Sequence, residues 1–422
     1  MSCLDQSDTL PGTLRCQAAA GTEAPLPRPS PVPQQPGVLL PLKSGAEGFA
    51  SVRKVLAMLL PEQWSPLPST DIEVSVLSGG VTNVLLKVSP RSPATRPPPV
   101  VVRIFGADTE EFINREDELQ RLLQLNSFGF GAKVLGIFGN GRIEEFLRGR
   151  ALLLEDVSRP EIQAAIARRT AQLHSFSQAL GCDSSKACSG LWARLHNWLL
   201  LALSVVRFDD PEQQAALEQL ELERFPDNID AVRQALEAMG APVVASHNDL
   251  IHANIMQLVD GSLQFIDFEY GGPNYRGYDL GNHFNEFAGL NCDFSKWPSL
   301  EVQQHYAHHY LSASPGSDRV SLEDVDCLIV EANLCAMASH LQWVLWSVIQ
   351  VGATLHWEGS NRLMAARTHS RGRASIGWDS AAAEGAVVIY SCSCLPFLEL
   401  PMCSLPSTYR FPPPPPSPFL PP

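Results

Sequence analysis

Two carboxylates and an amide lie close together in the second half of the chain. They are Asp249 in His247-Asn248-Asp249, Asn254 five residues later, and Asp267 in Ile266-Asp267-Phe268. These residue types suit phosphoryl transfer to an alcohol. That reaction needs little covalent help from a protein. It needs a carboxylate near the incoming hydroxyl, oxygen ligands holding Mg²⁺ on the phosphates, and cations over the phosphate oxygens. Asp249 can meet the first need. Mg²⁺ prefers carboxylate and carbonyl oxygens and keeps waters, so Asn254 and Asp267 suit the second. Taken singly, each of these residues is more often a turn former or a helix cap; it is the spacing and the apolar flanks of the set that point to chemistry.

The third need has two candidates. In Gly79-Gly80-Val81-Thr82-Asn83, glycines without Cβ atoms would let backbone N–H groups approach a phosphate. A Gly-Gly between strands is equally a hairpin turn. Arg103 sits inside the apolar run VVVRIF, either as a phosphate contact steadied by a helical carboxylate such as Glu118, or as a snorkelling arginine.

These residues need elements to hold them. The apolar pattern predicts a helix over 52–60 ended by Pro61, strands at 72–77, 84–89 and 100–105, and a helix over 108–125. Two more strands are expected at 134–138 and 142–146. From 150 to 350 the pattern is mainly helical, with helices expected at 160–180, 189–206, 211–238 and 321–350. The interval 242–270 instead reads as two strand-and-loop pieces joined at Asp260-Gly261. Residues 1–45, with PLPRPSPVPQQP, are too poor in apolar side chains to offset chain entropy and read as a disordered tail. Beyond Gln350 neither period is sustained, so 351–422 reads as irregular or disordered.

A formal net charge of -14 excludes a nucleic-acid surface, which requires a basic footprint. Ten cysteines without zinc spacing read as reduced thiols. The N-terminus has no basic-then-apolar signal, and the apolar runs 198–206 and 341–352 are too short to span a bilayer. A cytoplasmic protein is expected.

HNDLIHANI at 247–255 and FIDFEYGGPNYRGYDLGNHFNEF at 265–287 resemble the choline/ethanolamine kinase family. SGGVTN at 78–83, VRIFG at 102–106, GRIEEFLRGRAL at 141–152 and SHLQWVLWSVIQ at 339–350 match further family segments in the same order. The resemblance covers about residues 50–350. It implies an α+β, two-lobed, protein-kinase-like fold with ATP in the cleft. A small mixed β-sheet N-lobe would occupy 46–148 and a mainly helical C-lobe 149–350.

By that resemblance Asp249 is the base or hydroxyl-orienting carboxylate, and Asn254 and Asp267 hold Mg²⁺. Gly79, Gly80, Thr82 and Asn83 cover the phosphates. Arg103 stands where the family's phosphate-binding lysine does, with Glu118, chosen over nearby Glu116, as its partner. Glu144 to Leu147, including Phe146, would pass the adenine. His247, Arg276 and Asp279 would support the catalytic loops, and Tyr270, Glu286, Trp343 and Trp346 would form the acceptor pocket. Aromatic faces attract an ammonium head, and a carboxylate adds Coulomb attraction. Trp343 and Trp346 share a helix face by spacing, which is otherwise the mark of plain core packing. Asn285 and Phe287, in NEFAG, favour ethanolamine over choline.

The resemblance therefore implies ATP-dependent phosphorylation of ethanolamine, possible as a homodimer. Choline kinase, or a catalytically impaired binding protein on the same scaffold, are the other readings. After Gln350 the chain departs from the family pattern, which would continue with an aspartate, aromatics and a final helix.

Overall fold

The structure is a computed structural model describing residues 31–40, 46–77, 83–92, 97–106, 115–182, 184–205, 207–208, 211–289, 293–316 and 319–367. In chain order its first elements are β1 (Gln34–Gln35), α1 (Ala46–Leu59), α2 (Pro61–Trp64), β2 (Ile72–Val76), β3 (Asn83–Pro90), β4 (Val100–Phe105) and α3 (Arg115–Ser127). Next come β5 (Val134–Phe138), β6 (Gly141–Glu145), β7 (Gly149–Ala151), α4 (Pro160–Ser175), α5 (Ser184–Val205), α6 (Pro211–Gln219) and α7 (Phe225–Met239). The last are β8 (Val243–Ser246), β9 (Ile255–Leu258), β10 (Leu263–Phe265), β11 (Gly272–Tyr275), α8 (Arg276–Asn285), α9 (Leu300–Ala313) and α10 (Leu322–Arg367).

Six strands form one sheet in the order β1-β5-β6-β4-β3-β2. It is mixed only because β1 runs parallel to β5; the other pairings are antiparallel. Alternating Val and Ile side chains of β3, β4 and β6 pack on Val52, Leu56 and Leu59 of α1. Residues 31–40 depart from the expected disordered tail. Gln34–Gln35 pair with β5, Leu40 is buried, and Asn140 donates to the Leu40 carbonyl at 2.7 Å. The rest of the 1–45 segment lies outside the described residues apart from this stretch.

The helical part carries two cores. One joins α5, α7 and α10 with Tyr270, Tyr275 and Tyr278; the other joins α3, α4, α9 and the β9–β10 hairpin. The single helix expected at 211–238 is two, because Glu221 takes a left-handed conformation (φ 46°) and Pro226 restarts the chain as α7. Helices α8 and α9 were not singled out by the apolar pattern.

The chain continues helical through Arg367, where an irregular segment was expected from residue 351; positions 368–422 lie outside the described residues. Ser321 and Asp324 cap its start reciprocally, the Ser321 Oγ accepting from Asp324 N–H and the Asp324 carboxylate from Ser321 N–H. The stretch Leu322–Gln350 is long and apolar enough to cross a membrane, contrary to the reading from shorter runs. However, 89% of its apolar window is buried in the protein, as in a core helix. It packs on α8 through Gly277 and Gly281, where an added Cβ would come within 2.8 and 2.3 Å of α10 backbone atoms. Two small residues one turn apart therefore set how closely α8 approaches α10.

Candidate active site

The loop between β8 and β9 presents Asp249. Its neighbour Asn248 holds a left-handed φ of 66°, a conformation that asparagine tolerates better than most residues. Three side-chain bonds maintain it: Asn248 Nδ2 donates to the Tyr270 carbonyl at 2.9 Å and the Gly272 carbonyl at 3.4 Å, and its Oδ1 accepts from Asn274 Nδ2 at 2.8 Å. Asp267 has a φ of 63°, the second left-handed residue of the site. Strained backbone held in place by its surroundings is common where groups must be pre-positioned.

Asp249, Asn254 and Asp267 are tied together. Asn254 Nδ2 donates to both the backbone carbonyl and Oδ2 of Asp249, each at 2.9 Å. Ile266 N–H donates to the Asn254 carbonyl at 2.9 Å. His247 Nε2 donates to the Ile266 carbonyl at 2.9 Å, while its Nδ1 accepts from Asp249 N–H at 3.3 Å. That pattern requires a neutral imidazole protonated at Nε2, and burial lowers the His247 pKa in the same direction. Burial pushes the Asp249 carboxyl well up, and the charges of Glu286, Asp267 and Glu269 push it further.

Among the described residues no three His, Cys, Asp or Glu side chains are grouped to hold a metal. A carboxylate from Asp267 and an amide oxygen from Asn254 are two hard donors. They fit Mg²⁺, which completes its shell with waters and substrate phosphates.

The sheet side of the site is a network of buried arginines. Arg103 on β4 lies directly across from Arg142 on β6. Two like charges in that position repel unless compensated. Arg103 donates to Asp267 Oδ1 at 3.0 Å and lies 3.7 Å from Glu144. Arg142 pairs with Glu144 and, at 2.7 Å, with Glu118 of α3. Glu118 also accepts from Arg115 at 2.8 Å. Burial alone would raise the Glu118 carboxyl, but Arg142 and Arg115 hold it below its usual range. Asp267 is lowered likewise against its burial, by Arg103 and Arg142.

Glu118 is bonded to Arg142 and Arg115, and Arg103 has Asp267 and Glu144 as its direct partners. The Glu144 side chain is buried in these ion pairs, at the end of β6 that leads into Phe146. Phe146, just past β6, lies under the Lys87 ammonium, 4.3 Å from its ring centroid. Asn83, at the start of β3, accepts from Arg115 at 3.4 Å. Gly79, Gly80 and Thr82 lie outside the described residues.

On the other side of Asp249 the walls are aromatic. Tyr270 and Trp343 meet edge to face at 5.3 Å, and Trp343 and Trp346 at 5.9 Å. Glu286, in the turn that continues α8, makes no side-chain hydrogen bond or ion pair among the described residues. Desolvation pushes its carboxyl up to about 7. Beside it, Asn285 Nδ2 donates to the Ala336 carbonyl at 3.0 Å, and Phe287 packs on His283.

Helix α8 supports both halves. Asp279 accepts from the backbone N–H groups of His247 and Asn248, each at 2.7 Å, and from His174 Nε2 at 3.0 Å. Burial would raise its carboxyl, but the His174 bond keeps it low. Arg276 forms a two-bond pair with the fully buried Glu331 of α10, at 2.7 and 2.8 Å. Arg115, Arg142, His174, Glu269 and Asn282 had no role expected from sequence. Arg142 lies within GRIEEFLRGRAL, and a charged residue in the strand pattern GRIEE was the available signal. His174 gave none.

A family model for choline/ethanolamine kinase matches residues 74–365, which runs past Gln350. A probable ethanolamine kinase of Arabidopsis thaliana is 40% identical over 290 residues, 68% of this chain and 76% of that protein. Probable ethanolamine kinase A of Dictyostelium discoideum is 35% identical over 283 residues, 66% of this chain and 79% of that one. Among solved structures, an ethanolamine kinase of Plasmodium vivax superposes with a TM-score of 0.67 at 28% identity, covering 86% of this chain and 93% of that chain. A match over most of the sequence, on a fold that assembles the acidic loops, the arginines and the aromatic wall, shows that the chain belongs to the choline/ethanolamine kinase family.

Proposed function

We propose that this protein is an ethanolamine kinase, transferring the γ-phosphate of ATP to the hydroxyl of ethanolamine, the first step towards phosphatidylethanolamine. The observation that carries this reading is the position of Asp249 between an arginine-rich side and an aromatic, acidic one. The first fits polyphosphate and the second an ammonium alcohol. In a two-lobed, protein-kinase-like arrangement the sheet would cover the nucleotide and the helices would hold the acceptor.

Mg²⁺ bound by Asn254 and Asp267 would offset charge on the phosphates. The chain's own groups do the rest. Asn254 orients the Asp249 carboxylate through its Nδ2 donor. Asp249 accepts a hydrogen bond from the acceptor hydroxyl and takes its proton as the phosphoryl group is transferred. Its raised pKa strengthens it as a base, and cations entering the site draw it back towards the ionised form. Arg103 is placed beside Asp267 to meet phosphate oxygens. Tyr270, Trp343 and Trp346 offer ring faces to the ammonium, each contact contributing about 0.5–2 kcal/mol. Glu286, with no cationic partner among the described residues, would pair with it.

The names of the relatives support ethanolamine, and a carboxylate without a cation partner among the described residues suits a primary ammonium with three N–H donors. The test is an acceptor panel on the purified full chain with ATP and Mg²⁺. Ethanolamine is expected to drive ADP release and to be preferred over choline in direct competition. Equal ATP turnover with and without any acceptor would sink the reading; preference for choline would move it to the sister activity.

A further inference from the structure

Trp343 is held by more than packing. Its indole Nε1–H donates to Asn282 Oδ1 at 2.8 Å, and the Ser339 hydroxyl donates to the same oxygen, also at 2.8 Å. Asn282 is on α8, and the two donors are on α10, one turn apart. An indole N–H can only donate, so the amide oxygen of Asn282 must face it, which fixes the orientation of the amide. The opposite end of that amide, Nδ2, is fully buried and has no hydrogen-bond partner. A buried donor left unmet is unfavourable, and here it accompanies an oxygen dedicated to α10.

Asn282 also lies four residues before Glu286, and hence on the same side of α8 and the turn that continues it. The close α8–α10 approach allowed by Gly277 and Gly281 brings Asn282 within reach of the indole. Trp343 in turn makes edge-to-face contacts with both Tyr270 and Trp346. A hydrogen bond at the indole edge sets the rotation of the ring, and hence the direction of the face it offers.

We propose that Asn282 is a positioning residue for acceptor recognition: its side-chain oxygen fixes the Trp343 ring at the angle required for the ammonium group. The inference rests on the ethanolamine kinase reading. Asn282 does not touch the acceptor in this scheme; it acts through Trp343.

The test is a double-mutant cycle on the full chain, with Asn282→Ala, Trp343→Phe and the double variant, reading the KM for ethanolamine, the KM for ATP and kcat. Asn282→Ala is expected to raise the ethanolamine KM about tenfold, with the ATP KM and kcat within about twofold of wild type. In the Trp343→Phe background, where no indole N–H remains, the same change should have little further effect. Ser339→Ala removes the other bond to the same oxygen and should leave the ethanolamine KM near wild type. Unchanged KM in Asn282→Ala, fully additive effects, or an equal rise in Ser339→Ala would each overturn the proposal. Should Asn282→Ala fail to fold, Trp343→Phe decides alone: an ethanolamine KM at the wild-type value overturns it, and a selective rise supports it. Wild-type protein without acceptor-dependent turnover would instead signal failure of the ethanolamine kinase reading itself.

Discussion

The two sides of Asp249 solve opposite electrostatic problems. On the sheet side, Arg103, Arg142 and Arg115 interlock with Glu118, Glu144 and Asp267, and the arginines and their acids have direct ionic partners. On the helical side one carboxylate, Glu286, acts by its charge on Asp249 and has no cation partner among the described residues. The pKa values of Arg103 and Arg142 are raised and those of Glu118 and Asp267 are lowered, while Glu269, 3.5 Å from Arg115, is raised to about 7 by burial and the charge of Asp267. Glu286, without a cation among the described residues, is raised to about 7 by desolvation alone. Glu286 is left without an ionic partner among the described residues, whereas Arg142 and Glu118 are saturated by each other and by Glu144 and Arg115.

The comparison can be broken most severely at its centre. Asp249→Asn keeps the size and the Asn254 contact but removes the base. Ethanolamine-dependent kcat should fall by about 10²–10⁴-fold, read by ADP release at saturating substrates. A residual rate within tenfold of wild type would remove Asp249 from the chemistry.

The next largest effect falls on stability. Arg142→Met leaves Glu118 and Glu144 buried with one cation fewer each, and the loss should be about 3–5 kcal/mol in urea unfolding. Glu286→Gln removes a charge that nothing among the described residues pairs, so its unfolding midpoint should stay near or above that of wild type. Its cost should instead appear in the ethanolamine KM, raised about 10- to 100-fold with the ATP KM little changed.

The smallest effect sharpens the contrast through pH. The Glu286 carboxyl is raised to about 7, so it is neutral below that pH and ionised above it. An ammonium binds the ionised form, and the ethanolamine KM should therefore rise as pH falls from 8 to 6, at saturating ATP. In Glu286→Gln the slope should flatten. The linkage to stability has the reverse sign: with the folded-state pKa raised from 4.5 to about 7, stability falls as pH rises across that interval and is level above it. Relative to wild type, Glu286→Gln should gain stability as pH rises from 5 to 8.

Much of this site was legible because its groups are close in sequence. Asp249 and Asn254 share one loop, Asp267 follows the adjoining hairpin, and Trp343 and Trp346 share a helix face. The arginine network was not legible. Arg142 and Glu118 are 24 residues apart and Arg103 and Asp267 are 164 apart, so neither pairing has a local signal. Reading Glu118 as the partner of Arg103 failed because Arg103 and Arg142 are cross-strand neighbours competing for the same acids. The short strand at Gln34–Gln35 was missed because a proline-rich segment can still add to a sheet edge. The helix break near Glu221 was missed although Pro226, inside the expected helix, was an available signal.

Sequence by itself determined which groups are present and which local shapes hold them: a loop carboxylate, an amide one short turn later, a carboxylate after a hairpin, and apolar faces with helical or strand spacing. Those follow from residue type and short-range periodicity, which the chain carries wherever it goes. Only the tertiary structure decided which charges are neutralised and which remain available. That outcome depends on burial and on partners brought from distant elements, with α8 fastening the Asp249 loop through Asp279 and Trp343 through Asn282.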